Sequence, residues 1–196
     1  MNVSDISELH FIASIVDAPS IVDKGILCHR EAQKLAHQDL SMPEVQGRRM
    51  SRVVPGGRPL HDYANLYIHA RNPMLFVRKD RHADICVFRI RTNVLYLPGV
   101  VIADGNAASD YTAFWPAPDG LAKLDGALVL AEYWTDPDTF AYWHKKRVRC
   151  AEVLVPQRVP SEHILGAYVS CDESLMRLAA AVPQLVATVN AHLFFR

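Results

Sequence analysis

The stretch RVRCAEVLVP, residues 147–156, sets one carboxylate, Glu152, at the head of an apolar run. Val153, Leu154 and Val155 suit a buried strand. Glu152 is then either a strand-edge residue facing solvent or a carboxylate presented to a site. Arg48 and Arg49 stand side by side in a polar, irregular segment. Their planar guanidinium groups suit phosphates and carboxylates, although a solvated surface would hold them equally well. His10 lies among apolar neighbours in ELHFIAS, where a lone imidazole is either a satisfied core group or a ligand.

Other chemistries lack their motifs. The nine histidines show no HExxH or HxH spacing, so no metal site is expected. There is no Walker loop and no GxGxxG, and no GxSxG elbow supports a nucleophilic serine. Without that elbow, a Ser-His-Asp or Cys-His arrangement stays open. Cys28, Cys86, Cys150 and Cys171 form no CxxC pair. Cys86 and Cys150 sit inside apolar runs and read as buried free thiols.

The elements that must carry these residues come from a chain of 196 residues, half of them hydrophobic. That suits a single domain over 1–196 with a sizeable core. The formal net charge is zero, so no global attraction to nucleic acid operates. Charge is unevenly placed, however. Arg48, Arg49, Arg52, Arg58, Arg71, Arg78, Lys79, Arg81, Arg89 and Arg91 face only Asp62, Asp80 and Asp84 within residues 48–91. Lys145, Lys146, Arg147 and Arg149 form a second basic run. Such stripes either hold phosphates or are solvated faces. The start MNVSDISELH is polar and acidic, unlike a leader. No apolar run approaches the roughly 20 residues of a membrane span. The expectation is a soluble, cytoplasmic protein.

Strands are expected over 8–14, 64–70, 73–79, 85–91, 94–98, 99–104, 150–157 and 164–170, from their β-branched and aromatic residues. Residues 189–195 suit a last strand. A short helix over 18–27 stops at Gly25, and another runs from an Asp172 cap to Pro183. Residues 126–134 fit either element. Residues 28–60, 108–124 and 136–147 read as connections, the first long enough to suggest function. Many strands in no strict βαβ order argue an α+β fold.

The order LHFI…PSIVDKGIL, RRMSRVVPGGRPLHDYANLYIHARNPMLF, ADGNAAS, EYW…KKRVRCAEVLVPQRVPSEHI resembles the DarT family over about residues 9–168. These are bacterial toxins that ADP-ribosylate DNA bases from NAD. LHDY…RNPML and KRVRCAEVLVP are the most specific stretches. The resemblance implies an ADP-ribosyltransferase fold, with two small facing β-sheets, flanking helices and an NAD cleft. It assigns His10, Phe11 and Ile12 to NAD, with lesser contacts from Ser20 and Leu27. Arg48 matches the arginine on the NAD phosphates, proposed to act also on the target base, with Arg49 as the alternative. Residues 30–50 match an element closing over NAD, and about 106–151 the region presenting the acceptor. Glu152 matches the catalytic glutamate.

Glycosidic cleavage passes through an oxocarbenium-like state, which a fixed carboxylate stabilises. Arg49, Arg147 and Arg149 are expected on the nucleic-acid path. Tyr111, Trp115, Trp134, Tyr142 and Trp143 offer stacking surfaces, and at least one aromatic in 133–143 is expected to touch the acceptor. The resemblance also implies single-stranded DNA as substrate, no metal, and a macrodomain antitoxin that removes the modification. The chain reads YANLYI, ARNPMLF and AEVLVP where the family reads YVPFYF, PRSPMLY and AEFLVH. These departures leave open whether the acceptor is thymine, guanine or an RNA base. An RNA- or protein-modifying transferase and a catalytically silent nucleic-acid-binding module are the alternatives.

Overall fold

The computed structural model describes residues 1–38 and 40–195; residue 39, within the expected 30–50 closing element, lies outside the described residues. Ten strands run in chain order: β1 Leu9–Ser14, β2 Ile26–Leu27, β3 Tyr63–Tyr67, β4 Ile85–Ile90, β5 Val101–Ala103, β6 Phe114–Pro116, β7 Glu152–Pro156, β8 Arg158–Val159, β9 Ile164–Val169 and β10 Ala187–Val189. The helices are α1 Ala18–Lys24, α2 His29–Ala32, α3 Pro43–Met50, α4 Pro73–Phe76, α5 Gly126–Leu130, α6 Thr139–Val148 and α7 Asp172–Ala181.

Eight strands form one sheet in the order β10-β9-β4-β1-β3-β7-β5-β6, and β2 pairs with β8. The large sheet is antiparallel except for β9 and β10. Its centre is a seam: β1 meets β3 at the single pair His10↔Tyr67, whereas β1 pairs with β4 along its whole length. Two four-stranded halves therefore join at one residue pair. The expected α+β fold and its two small sheets take this form.

Strand alternation sorts the side chains. Leu9, Leu66, Phe88, Ile90, Ile102 and Val153 point into the main core and are fully buried. His10, Tyr67 and Glu152 take the opposite face. Fully burying each large apolar chain contributes roughly 1.5–3 kcal/mol, so the core face fixes the register of the polar one.

Several expected strands are helical, for local reasons. At 73–79, Pro73 begins α4 and the Asn72 side chain accepts from the Leu75 N–H at 3.1 Å. That cap overrides the β-propensity of Met-Leu-Phe-Val. Residues Thr92–Tyr96 and Ala191–Leu193 are 3-10 turns, with β10 ending at Val189. The ambiguous 126–134 run opens as α5, capped by Asp125, and the expected connection at 136–147 is mostly α6, capped by Asp138. The polar 28–60 segment carries α2 and α3. Gly25 does end α1, at φ 82, where a Cβ would strike the Val159 carbonyl. Helix α7 has Cys171 at its cap position, with Asp172 as the first helical residue.

Candidate active site

Hydrogen-bond register lines up one row of residues across four strands. His10 on β1 opposes Tyr67 on β3, Tyr67 opposes Glu152 on β7, and Glu152 opposes Ala103 on β5. Directly opposed residues project from the same face, so the row crosses the seam with its side chains together. Above it lies a cavity of about 1050 Å³. Phe11 and Ile12 line one side, and Tyr63, Asn65 and Tyr67 line the β3 side. Helix α3 contributes Arg48 and Arg49, and the 106–111 loop contributes Asn106 and Tyr111.

Glu152 is 1% exposed, yet it reaches the cavity floor. Its carboxylate accepts from Arg49 Nη1 at 3.0 and 3.3 Å and from the Ala107 N–H at 2.9 Å. Arg49, 7% exposed, is the buried partner. Arg48 is exposed at the cavity wall, its Nε donating to the Glu44 carbonyl at 3.4 Å. The adjacent arginines thus divide: one grips the carboxylate and the other keeps its charge at the opening. Tyr67 sits beneath them. Burial, then the Glu152 charge, pushes its phenol well above the ordinary range.

Ser20 and Leu27 also line the cavity, as does Phe11. His10 sits at the seam but is not among the lining residues. Its Nε2 lies 3.3 Å from Glu8 Oε1, and its Nδ1 is buried without a hydrogen-bond partner among the described residues. Glu8 also accepts from Arg89 Nε at 2.8 Å. Burial works to raise the Glu8 carboxyl, but bonds from His10, Arg89 and Tyr168 hold it down at about 2. His69 beside them is lowered to about 3 by burial and by the Arg149 and His10 charges.

Two expected nucleic-acid contacts need correction. Arg149 is 1% exposed and donates to the Val129 carbonyl and, at 3.0 Å, to His69 Nδ1. It ties α5 to the β3–α4 connection and lies out of reach of an incoming strand. Trp134 is 8% exposed, packed edge-on against Phe76 and Phe195. Its ring is committed to an internal aromatic cluster. Of the other expected contacts, Arg49 is buried and committed to Glu152 inside the cavity, while Trp143 and Arg147 line the cavity and Tyr142 packs against Trp143. Trp143 is 57% exposed and lines the cavity, and Tyr142 stacks edge-on against it at 5.3 Å. Lys146 Nζ lies 4.9 Å from the Trp143 ring centre and 5.4 Å from that of Tyr142. Arg147 lines the cavity while donating to Asp104 at 2.7 Å.

Further residues enter the site unannounced. Phe140 lines the cavity at 86% exposure; its i,i+3 spacing to Trp143 becomes a signal only once 139–148 is a helix. Arg52 donates to Asp110 at 2.9 Å and to the Thr112 carbonyl at 3.1 Å, pinning the 104–113 loop to the end of α3. That loop delivers the Ala107 N–H to Glu152. Asn65 lines the cavity two residues from Tyr67 on the same strand face, and only its strand register reveals it. No group of three or more His, Cys, Asp or Glu suited to a metal exists among the described residues. All four cysteines are free, and Cys28, Cys86 and Cys150 are buried.

Comparison with known proteins gives concordant matches. Residues 10–194 match the family described as ssDNA thymidine ADP-ribosyltransferase, DarT. A "DNA ADP-ribosyl transferase-DNA ADP-ribosyl glycohydrolase fusion protein" from Thermosipho africanus is 32% identical over 185 residues, covering 89% of this chain and 45% of that protein. The chain thus spans under half the length of that relative. The structure of Thermosipho africanus DarTG in complex with ADP-ribose superposes with a TM-score of 0.83 at 29% identity, over 96% of this chain and 51% of the other. Thermus sp. 2.9 DarT in complex with ADP-ribosylated ssDNA shares the fold at a TM-score of 0.81 and 20% identity, over 97% of both chains.

Proposed function

The chain belongs to the DarT family of ssDNA thymidine ADP-ribosyltransferases, and from that premise we propose that it transfers ADP-ribose from NAD to a thymidine base of single-stranded DNA. The observation that carries the proposal is the Arg49–Glu152–Ala107 knot at the floor of the cavity, in register with the seam.

NAD is the donor substrate. The parted strands β1 and β3 offer it a slot, and Arg48 offers its pyrophosphate a cation at the wall. As the bond from ribose carbon to nicotinamide nitrogen breaks, positive charge develops on the ribose. Glu152, buried and held by two donors, is a fixed negative charge that needs no reorganisation to stabilise it. Nicotinamide departs as a neutral molecule. The new bond joins the ribose carbon to the acceptor nitrogen, whose proton must leave; the Glu152 carboxylate is the group offered to take it. Phe140, Trp143 and Tyr111 at the rim supply faces for an unpaired base, with Lys146 and Arg147 beside them for its phosphates.

In this reading the chain is the toxin of a toxin–antitoxin pair. Its partner is a glycohydrolase that removes ADP-ribose from DNA, an activity that the Thermosipho africanus relative carries, by its name, in the same polypeptide. No helix of the described residues is long and apolar enough to cross a membrane. The acceptor is tested with labelled NAD offered to single-stranded oligonucleotides, RNA and protein extract in parallel. Label is expected in thymidine-containing DNA. Label confined to RNA or protein would overturn the acceptor, and label in nothing would overturn the transferase reading.

A further inference from the structure

Beside the main cavity a second cleft of about 450 Å³ shares Leu27 with its wall. Three separate segments bring an arginine to it: Arg30 from α2, Arg58 from the turn before β3, and Arg158 from β8. The two acids on its wall are already engaged. Asp62 pairs with Arg30 at 2.8 Å, and Glu31 with Lys34 at 2.8 Å. Arg58 and Arg158 are exposed, and their guanidinium groups have no hydrogen-bond or ion-pair partner among the described residues. The cleft therefore carries two uncompensated forks facing one concavity.

A second observation shows that the concavity is held in place. Gln157, between β7 and β8, adopts φ 65, a left-handed conformation that residues other than glycine rarely take. Two short backbone bonds hold it there: its N–H donates to the Asp62 carbonyl at 2.7 Å, and its carbonyl accepts from the Cys28 N–H at 2.6 Å. Cys28 opens α2, and Asp62 closes the turn that follows Arg58. The strained residue thus ties together the three segments that carry the arginines. Strain of this kind is kept where a geometry is wanted.

We propose that this cleft is a phosphate subsite that holds a backbone phosphodiester of the single-stranded acceptor outside the transfer site. The proposal rests on the nucleic-acid reading above and adds a binding position to it. Paired guanidinium forks match the two free oxygens of a phosphodiester. Shared use of Leu27 puts the cleft next to the chamber where transfer occurs.

The test is the double variant Arg58→Ala, Arg158→Ala in the full chain; both side chains are exposed, so folding is undisturbed. Binding of a fluorescent thymidine-containing 20-mer is measured against salt concentration, with the KM for NAD measured alongside. Affinity for the oligonucleotide is expected to fall about tenfold or more. The slope of log K against log salt should flatten by about 0.7, the value for one lost single-strand phosphate contact. The KM for NAD should stay unchanged, and the Arg→Lys pair should keep the slope. Unchanged oligonucleotide affinity and slope would overturn the subsite. So would a raised KM for NAD with unaltered oligonucleotide binding, which would assign the cleft to the donor's phosphates. A wild-type protein that neither binds nor modifies the oligonucleotide would remove the nucleic-acid reading itself, and the subsite with it.

Discussion

Replacing Arg49 with alanine removes the charged partner of a carboxylate that is 1% exposed. Glu152 would retain one donor, the Ala107 N–H at 2.9 Å. Breaking a buried ion pair from one side costs about 3–5 kcal/mol, because it strands the other charge. The cavity beside Glu152 lets water approach, which brings the expected cost to the lower end, about 3 kcal/mol. For a chain of this size that lowers Tm by about 6–12 °C. Adding Glu152→Gln should return much of the loss, since the stranded charge disappears. The assay is a double-mutant cycle by urea denaturation on the wild type, both single variants and the double variant. A coupling of about 2 kcal/mol or more is expected. Additivity within about 0.5 kcal/mol would refute the claim that these two side chains act as one unit. Arg48→Ala is the companion measurement. Its exposed side chain should change stability by no more than about 0.5 kcal/mol, while raising the KM for NAD.

Phe140→Ala with Trp143→Ala should weaken oligonucleotide binding by about 1–3 kcal/mol per lost stack and leave NAD hydrolysis in the absence of DNA unaltered. Fluorescence titration and nicotinamide release check the two halves. Gly105→Ala should slow transfer, because a Cβ there would lie 2.7 Å from Arg147 Nη1 and 2.9 Å from the Arg147 carbonyl. The loop must shift, and the Ala107 N–H moves off Glu152; a normal turnover rate for this variant would count against the loop's role. Acid should destabilise the fold in two stages. His69, held down at about 3, loses its contribution as pH falls below 6.5, where the unfolded imidazole takes up a proton. Glu8, held at about 2, loses its own below 4.5. Urea midpoints from pH 7 to pH 3 should fall accordingly, and His69→Gln should flatten the upper stage.

Much of the site was legible because it sits on strands. HFIAS, YANLY and EVLVP are apolar enough to read as strands, and with the register in hand, burial of Leu9, Leu66 and Val153 puts His10, Tyr67 and Glu152 on one face. The direction of Glu152 does not follow from spacing, because Val153, Leu154 and Val155 are apolar on both faces; the family resemblance assigns it to the site, and the strand register places it at the cavity. Arg48 and Arg49 were harder to separate. Neighbours on a helix point about 100° apart, and only the placement of α3 over β7 decides which one meets the carboxylate. Helices α4 and α6 were hidden by their composition. PMLF is apolar enough for a strand and DPDTFAYWHKKR polar enough for a connection, and the deciding features are caps, Asn72 and Asp138, whose hydrogen bonds act over three residues. Phe140 enters the site only because α6 turns it to the same side as Trp143. Arg149 and Trp134 resisted for another reason. A charged or amphipathic chain at a polar-looking stretch reads as surface, and its burial depends on distant partners, His69 for one and Phe195 for the other.

In the proposed reaction Glu152 is the carboxylate of transfer. The direct measurement is the rate of label transfer from NAD to a thymidine-containing oligonucleotide by the Glu152→Gln protein, compared with wild type at saturating substrates. The glutamine keeps the size of the side chain and a carbonyl for the Ala107 N–H, and removes the charge. Turnover should fall at least about 10²-fold, with the Kd for the oligonucleotide unchanged. Turnover within a few-fold of wild type, in protein shown to be folded, would contradict it.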